Sequence, residues 1–164
     1  MTYEKVKYLK PQEFKRLCGV RIETFAQMVK LVEEKEKHKT KTGRPSKLSL
    51  ENQVLMTLEY LREYRTYFHI GQHWGINEST AYRIIRKVEN VLIKSKEFRI
   101  PGKKQLLKSD NQISIAVIDV TETPIERPKK NKRSTTVVRR KRFSLRFNLI
   151  AAIYNYELYL RQIS

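Results

Sequence analysis

The chain of 164 residues contains 35 Lys and Arg but only 17 Asp and Glu, which gives a formal net charge of +18 and a pI of about 10.1. This excess favours a polyanionic partner, above all nucleic acid, because binding releases counterions; a basic surface that serves only solubility is the alternative. The single cysteine, Cys18, excludes an intrachain disulfide and a cysteine-rich zinc module, and the lack of a signal peptide or of roughly 18 consecutive apolar residues predicts a cytoplasmic protein with no membrane partner.

Residues 1–38 predict an N-terminal helical unit that serves as a scaffold, with a degenerate helix-turn-helix as the alternative. Its first helix begins at Pro11 and ends at Gly19. A second helix spans about residues 22–37. The apolar positions that we expect to face inward are Phe14, Leu17, Phe25, Met28, Val29 and Val32.

Residues 39–48 predict a basic linker, since this stretch is too polar to bury itself. Within it, Arg44 lies between a glycine and a proline. An extended arginine in this setting can enter a narrow minor groove, so Arg44 is a candidate DNA-binding residue. A solvated hinge is the alternative.

Residues 49–97 predict a helix-turn-helix DNA-binding domain built from three helices around one core. A supporting helix follows the cap Ser49, with apolar residues recurring at helical spacing. Thr66 caps a second helix that runs through Trp74. After a turn at Gly75, a third helix runs from about Glu78 to Lys94.

The third helix has the composition of a recognition helix, since one face is apolar and the other is polar and basic. In such helices the N-terminal polar residues contact base edges, and the basic residues contact phosphates. An ordinary helical hairpin is the alternative. The candidate DNA-binding residues on this helix are Ser79, Thr80, Tyr82, Arg83, Arg86 and Lys87.

His69 and His73 stand four residues apart on the predicted second helix, which is a spacing that can hold zinc. No carboxylate or thiol is close to them in sequence. We therefore interpret both as packing or DNA-facing histidines, and Trp74 as a core residue.

Residues 113–120 predict a short buried strand that brings Asp119 to its end, before a turn bracketed by Pro124 and Pro128. Nuclease cores commonly present their first metal ligand in this way. A solvated turn residue that caps the loop is the alternative for Asp119.

The motifs that carry a family resemblance are the stretches 43–51 (GRPSKLSLE), 60–70 (YLREYRTYFHI) and 118–130 (IDVTETPIERPKK). They resemble the DDE-type transposases of bacterial insertion sequences, and more narrowly the insertion-sequence-5 family. The resemblance implies a mainly α fold, in which the helix-turn-helix domain is followed at residues 98–133 by an incomplete α/β ribonuclease H-like fragment. It also implies that Asp119 is a catalytic residue and the first of three metal-binding carboxylates, which hold Mg²⁺ in the complete family enzyme.

The sequence departs from the family pattern at Ser134. A codon choice exists for which a frame starting at the third base of that codon restores the family's Tyr-Tyr-Ser-Gly, so we interpret residues 134–164 as an out-of-frame tail. Such a tail predicts at most a strand-like stretch at 143–154 and poor packing. Only Glu157 carries a carboxylate after Glu126, so we expect no productively bound Mg²⁺ and no strand cleavage by this chain alone.

The sequence thus predicts the N-terminal portion of a transposase that recognises the terminal repeats of its element in double-stranded DNA. Expected protein partners are the full-length transposase or a second copy of this chain. A helix-turn-helix transcriptional regulator is one alternative. An active nuclease whose missing acids come from another chain is the other.

Overall fold

The computed structural model describes residues 2–38, 46–100 and 135–163, with side chains of the last segment described from 145 to 161. These residues form seven helices and no strand. The helices are α1 (Tyr3–Val6), α2 (Pro11–Cys18), α3 (Ile22–Lys37), α4 (Leu50–Glu63), α5 (Tyr67–Trp74), α6 (Glu78–Lys94) and α7 (Thr135–Ile163). The mainly α fold class is confirmed for this part of the chain, and the predicted ribonuclease H-like fragment lies almost wholly outside it.

The predicted helix boundaries are confirmed by the cap residues. Gly19 ends α2 in the left-handed conformation, with φ of 81°. The Ser49 hydroxyl accepts the Asn52 N–H at 3.3 Å at the start of α4, and the Thr66 hydroxyl accepts the His69 N–H at 3.3 Å at the start of α5. Each cap satisfies a backbone donor that a helix end leaves without an intrahelical partner.

The core is organised around α4, whose residues 53–61 are all buried. The helices α3, α5 and α6 pack against it, so that the N-terminal helices share one core with the predicted helix-turn-helix. On α3, Phe25, Met28 and Val32 face inward as predicted. On α2 the prediction is wrong at one position, because Cys18 is buried while Leu17 is 42% exposed.

The helix α7 corrects the prediction for residues 143–154, which are neither strand-like nor poorly packed. Leu149, Ala152 and Ile153 are buried in the common core, and the ring centroid of Tyr156 lies 5.0 Å from that of Phe98. The spacing of these positions is three, one and three residues, which places them on one face of a helix. The helical period, and not the apolar clustering, decides the structure here.

A buried carboxylate ties α7 to the N-terminal helices. Glu157 accepts hydrogen bonds from the Arg21 backbone N–H at 2.8 Å, from the Lys15 ammonium at 3.3 Å and from the Thr24 hydroxyl. Burial by itself would raise the pKa of Glu157, but these hydrogen bonds and the charge of Lys15 lower it below its ordinary value. The ionised form is therefore the one that the folded chain stabilises.

We expect the stabilisation by Glu157 to depend on pH. Because its pKa is lower in the folded than in the unfolded chain, the contribution is present above about pH 5 and is lost as pH falls through the folded pKa. Thermal unfolding of the wild type and of Glu157→Gln between pH 3 and 7 checks this, and the two melting temperatures should converge at low pH. Glu33→Gln, which alters an exposed pair with Lys37, is the control and should change little. A difference for Glu157→Gln that is constant over this range would contradict the argument.

Candidate nucleic-acid interface

The turn between α5 and α6 has the tight geometry of a helix-turn-helix. Gly75 adopts a left-handed conformation with φ of 62°, and the Ile76 N–H donates to the Gly71 carbonyl at 2.9 Å. A Cβ atom on Gly71 would lie 2.8 Å from the Ile76 carbonyl oxygen, so only glycine lets the turn approach α5 this closely. The turn predicted at Gly75 is confirmed, and Gly71 permits its close approach to α5.

The two faces of α6 divide as the sequence predicts. Ala81, Ile84, Ile85 and Val88 are buried against the other helices. The candidate residues Ser79, Thr80, Tyr82 and Arg83 are exposed on the opposite side. A polar face at the N-terminal end of a helix, directly after a tight turn, has the arrangement that enters a major groove.

The first turn of α6 is fixed by Asn77, a cap that the sequence analysis overlooked although asparagine is a preferred residue at this position. Its side-chain oxygen accepts the Ser79 N–H at 2.9 Å and the Ser79 hydroxyl at 2.8 Å. The Ser79 hydroxyl proton is thereby engaged, and the oxygen keeps its ability to accept a hydrogen bond. Ser79 therefore presents an acceptor on the exposed face.

Tyr82 and Arg86 form a pair on the exposed side of α6. The Arg86 guanidinium lies 5.5 Å from the centroid of the Tyr82 ring, at a distance where a cation and an aromatic face attract each other. The Tyr82 ring is 44% exposed and meets Tyr67 of α5 edge-on, with centroids 5.2 Å apart. The position of Tyr82 thus depends on α5 as well as on α6.

Lys87 is placed differently from the other candidates. Its ammonium group donates to the Glu36 carboxylate of α3 at 2.6 Å and to the Gln53 side-chain oxygen of α4 at 2.7 Å. The structure therefore engages Lys87 in an internal network that joins three helices. This placement favours a structural role over a phosphate contact.

One guanidinium from α7 reaches the helix-turn-helix, and nothing in the sequence pattern points to it. Arg146 donates to the buried Glu89 carboxylate of α6 at 2.6 Å and to the Tyr67 hydroxyl of α5 at 2.7 Å, and it lies 4.8 Å from the centroid of the Tyr60 ring of α4. Burial by itself would lower the pKa of Arg146, but the hydrogen bond and charge of Glu89 raise it above its ordinary value. Arg146 is therefore held in its charged form.

Glu59 of α4 contacts two side chains of α5, which the sequence analysis did not predict. This buried carboxylate contacts the His73 Nδ1 atom at 2.7 Å and accepts the Trp74 indole N–H at 2.8 Å. The prediction that Trp74 is a core residue is confirmed, since its side chain is 8% exposed. His69 contacts the Thr66 hydroxyl through its Nδ1 atom at 2.7 Å.

Two candidate residues, Arg44 and Asp119, lie outside the described residues. Within the described ranges, no three His, Cys, Asp or Glu side chains come together as ligands for a metal ion. No helix in the same ranges has the length and apolarity that a membrane crossing requires.

We expect Gly71→Ala to destabilise the fold, because the added methyl group meets the backbone of the turn and not a side chain that can move. The free energy of unfolding should fall by roughly 1–3 kcal/mol, measured by urea denaturation. Gly75→Asn is the control. It keeps a residue that tolerates positive φ at a position where a Cβ atom has nothing within 4 Å, and its loss should be smaller. Equal losses would contradict the packing argument.

We expect two substitutions that each remove one positive charge from α6 to act differently. Arg83→Gln should weaken binding to duplex DNA by roughly 1–3 kcal/mol and leave thermal stability nearly unchanged, because Arg83 is exposed. Lys87→Gln should chiefly lower stability, because it removes the ammonium group that donates to both Glu36 and Gln53. Fluorescence anisotropy with a labelled duplex and thermal unfolding separate the two effects. A Lys87 variant that melts like the wild type yet binds DNA as poorly as the Arg83 variant would contradict the assignment.

Comparison with known proteins identifies the three-helix unit. Residues 46–97, which include α4, α5 and α6, match the family model described as the helix-turn-helix of DDE superfamily endonuclease. No solved structure matches the chain.

A curated relative extends the likeness beyond this unit. The chain is 53% identical over 133 residues to the probable transposase for insertion sequence element IS702 of Microchaete diplosiphon, a match that covers 81% of this chain and 48% of that relative. The chain thus spans about half the length of the relative. The fold and both comparisons agree on one conclusion: residues 46–97 form a helix-turn-helix like that of DDE superfamily endonucleases, in a chain that is similar to an insertion-sequence transposase.

Proposed function

We propose that the chain recognises the terminal repeats of an insertion sequence in double-stranded DNA. The observation that carries this proposal is the exposed polar face at the start of α6, formed by Ser79, Thr80, Tyr82 and Arg83. A helix presents such a face to base edges when its N-terminal turns lie in the major groove. The net charge of +18 supports binding through the phosphates on either side of the groove.

The candidate DNA-binding residues suit different parts of the DNA. The Arg83 guanidinium has the fork geometry that contacts two acceptors of guanine, and the acceptor of Ser79 suits an exocyclic amine. The Arg86 guanidinium, held beside the Tyr82 ring, suits a phosphate. Arg44 is proposed to add a minor-groove contact, as an arginine between glycine and proline can.

We further propose that this chain binds DNA but does not cut it by itself. By family resemblance Asp119 is the first of three carboxylates, and it would be one ligand of the Mg²⁺ ions that activate water in the complete enzyme. The only carboxylate after Glu126 is Glu157, and Lys15, Arg21 and Thr24 already engage its oxygens. Glu157 is therefore a poor candidate for a further metal ligand.

The narrower family and the origin of residues 134–164 remain proposals. We infer membership of the insertion-sequence-5 family and a change of reading frame at Ser134, from the motifs and from the departure at that residue. The packing of α7 gives the segment a place in the fold whatever its origin. Sequencing the encoding DNA across codons 130–164 and several hundred bases beyond tests the frame change. The proposal requires that the offset frame stay open and encode further strands that carry Asp and Glu.

Partners and location follow from the same proposal. The full-length transposase or a second copy of this chain is the proposed protein partner. The proposed location is the cytoplasm.

The decisive experiment for DNA recognition uses DNA fragments from both sides of the encoding gene. Wild-type chain is incubated with a library of these fragments, and the bound fraction is sequenced and footprinted. We expect protection of the repeats at both ends of the element, and weaker protection by Arg83→Gln. Protection of symmetric promoter sites alone would instead support a transcriptional regulator.

A second assay tests catalysis on the same DNA. Wild type and Asp119→Ala should bind end-containing duplexes with nearly equal affinity, and neither should release cleaved strands in the presence of Mg²⁺. Mg²⁺-dependent cleavage by the wild type that disappears in Asp119→Ala would contradict the proposal and support a nuclease completed by another chain.

A further inference from the structure

The Arg146 guanidinium contacts all three helices of the helix-turn-helix unit from outside that unit. It bonds to Glu89 on α6, bonds to Tyr67 on α5 and lies over the ring of Tyr60 on α4. Side chains of Arg146 and Glu89 are only 12% and 4% exposed. A desolvated ion pair of this kind holds its partners in one geometry, because any separation leaves a buried charge unpaired.

The contacts continue from Arg146 to the DNA-reading face. The Tyr60 and Tyr67 rings stack with centroids 4.9 Å apart and an angle of 9° between their planes. Tyr67 in turn meets the exposed Tyr82 edge-on at 5.2 Å. Packed rings in this arrangement restrict one another, so a shift of Tyr67 changes where Tyr82 can lie.

We propose that Arg146 is a positioning residue for DNA recognition. By joining α5 to α6 through Tyr67 and Glu89, it sets the angle between the two helices and the place of the Tyr82 ring on the exposed face. This inference rests on the proposed function of α6 as the recognition helix. If Arg146 has this role, α7 contributes to DNA recognition, although it lies outside residues 46–97.

The chemistry of arginine suits this role better than that of lysine. The guanidinium is planar, donates in two directions at once and stacks on an aromatic ring. Arg146 donates in two directions, to Glu89 and to Tyr67, and its flat guanidinium lies over the Tyr60 ring. An ammonium group keeps the charge for Glu89 but lacks the fixed directions and the flat face.

The test compares full-length variants on two DNA probes. The first probe is a 30-base-pair duplex enriched by the wild type from a randomised pool, which is on the order of three helical turns. The second is a duplex of the same length and base composition in scrambled order. Variants are Arg146→Lys, Arg146→Gln and Tyr67→Phe. Arg161→Gln is the matched control, because it removes one exposed positive charge from the same helix α7.

We expect the three variants to lower the ratio of specific to scrambled affinity, by roughly tenfold for Arg146→Gln and less for Arg146→Lys and Tyr67→Phe. Arg161→Gln should slightly weaken binding to both probes and leave the ratio of the two affinities unchanged, since charge alone carries no sequence information. The effects of Arg146→Gln and Tyr82→Ala on the ratio should be less than multiplicative when combined, because one acts through the other.

Loss of folding is separated from loss of positioning by a double variant. Glu89→Gln with Arg146→Gln neutralises both partners of this ion pair and so leaves neither one charged and unpaired. This double variant should melt close to the wild type yet still show the reduced ratio. An unchanged ratio in this folded double variant and in Tyr67→Phe would overturn the positioning role. If the wild type enriches no duplex from the pool, the proposed function itself fails. That outcome is distinct from the one in which a duplex is enriched but the ratio of specific to scrambled affinity is the same in the Arg146 variants as in the wild type.

Discussion

The enclosure of α4 on every side is the constraint on which the rest of the structure depends. Nine consecutive buried residues, 53–61, include Gln53, Thr57 and Glu59, whose polar groups are largely shielded from bulk water. A buried polar group without a partner is costly, so the surrounding helices must supply partners. Gln53 receives Lys87 from α6, and Glu59 receives Trp74 from α5. These bonds fix both helices of the helix-turn-helix against a common support, which gives the exposed face of α6 a defined direction.

The sequence was a good guide wherever structure is decided by neighbouring residues. Caps such as Ser49 and Thr66, and the glycines at 71 and 75, act within a few positions of themselves, so their chemistry alone predicts helix ends and the turn. Residues 143–154 show the limit of this reasoning. Apolar clustering suggested a strand, whereas the spacing of Leu149, Ala152 and Ile153 is helical and their burial requires a surface formed by distant helices.

The candidate site divides in the same way. Exposure of Ser79, Thr80, Tyr82 and Arg83 follows from helical geometry and could be predicted. The engagement of Lys87 could not, because its partners Glu36 and Gln53 are 51 and 34 residues away. Arg146 and Glu89 are likewise 57 residues apart, and one arginine among 35 basic residues carries no local signal of its role. Long-range ion pairs are the part of this fold that pattern reasoning does not reach.

The distance between Glu89 and Arg146 along the chain has a consequence for biosynthesis. Ribosomes add roughly 5–20 residues per second, so the 57 residues between them take about 3–11 seconds to make. By the end of that interval the nascent chain contains all of α4, α5 and α6. The Glu89 carboxylate on α6 has no ion pair with Arg146 until Arg146 has been added. The hydrogen bond from Lys15 to Glu157 forms later still after synthesis of its first partner, because Glu157 follows Lys15 by 142 residues. Final closure of the core is therefore a late event, and until then the newborn chain offers chaperones and proteases the apolar surface that α7 will cover.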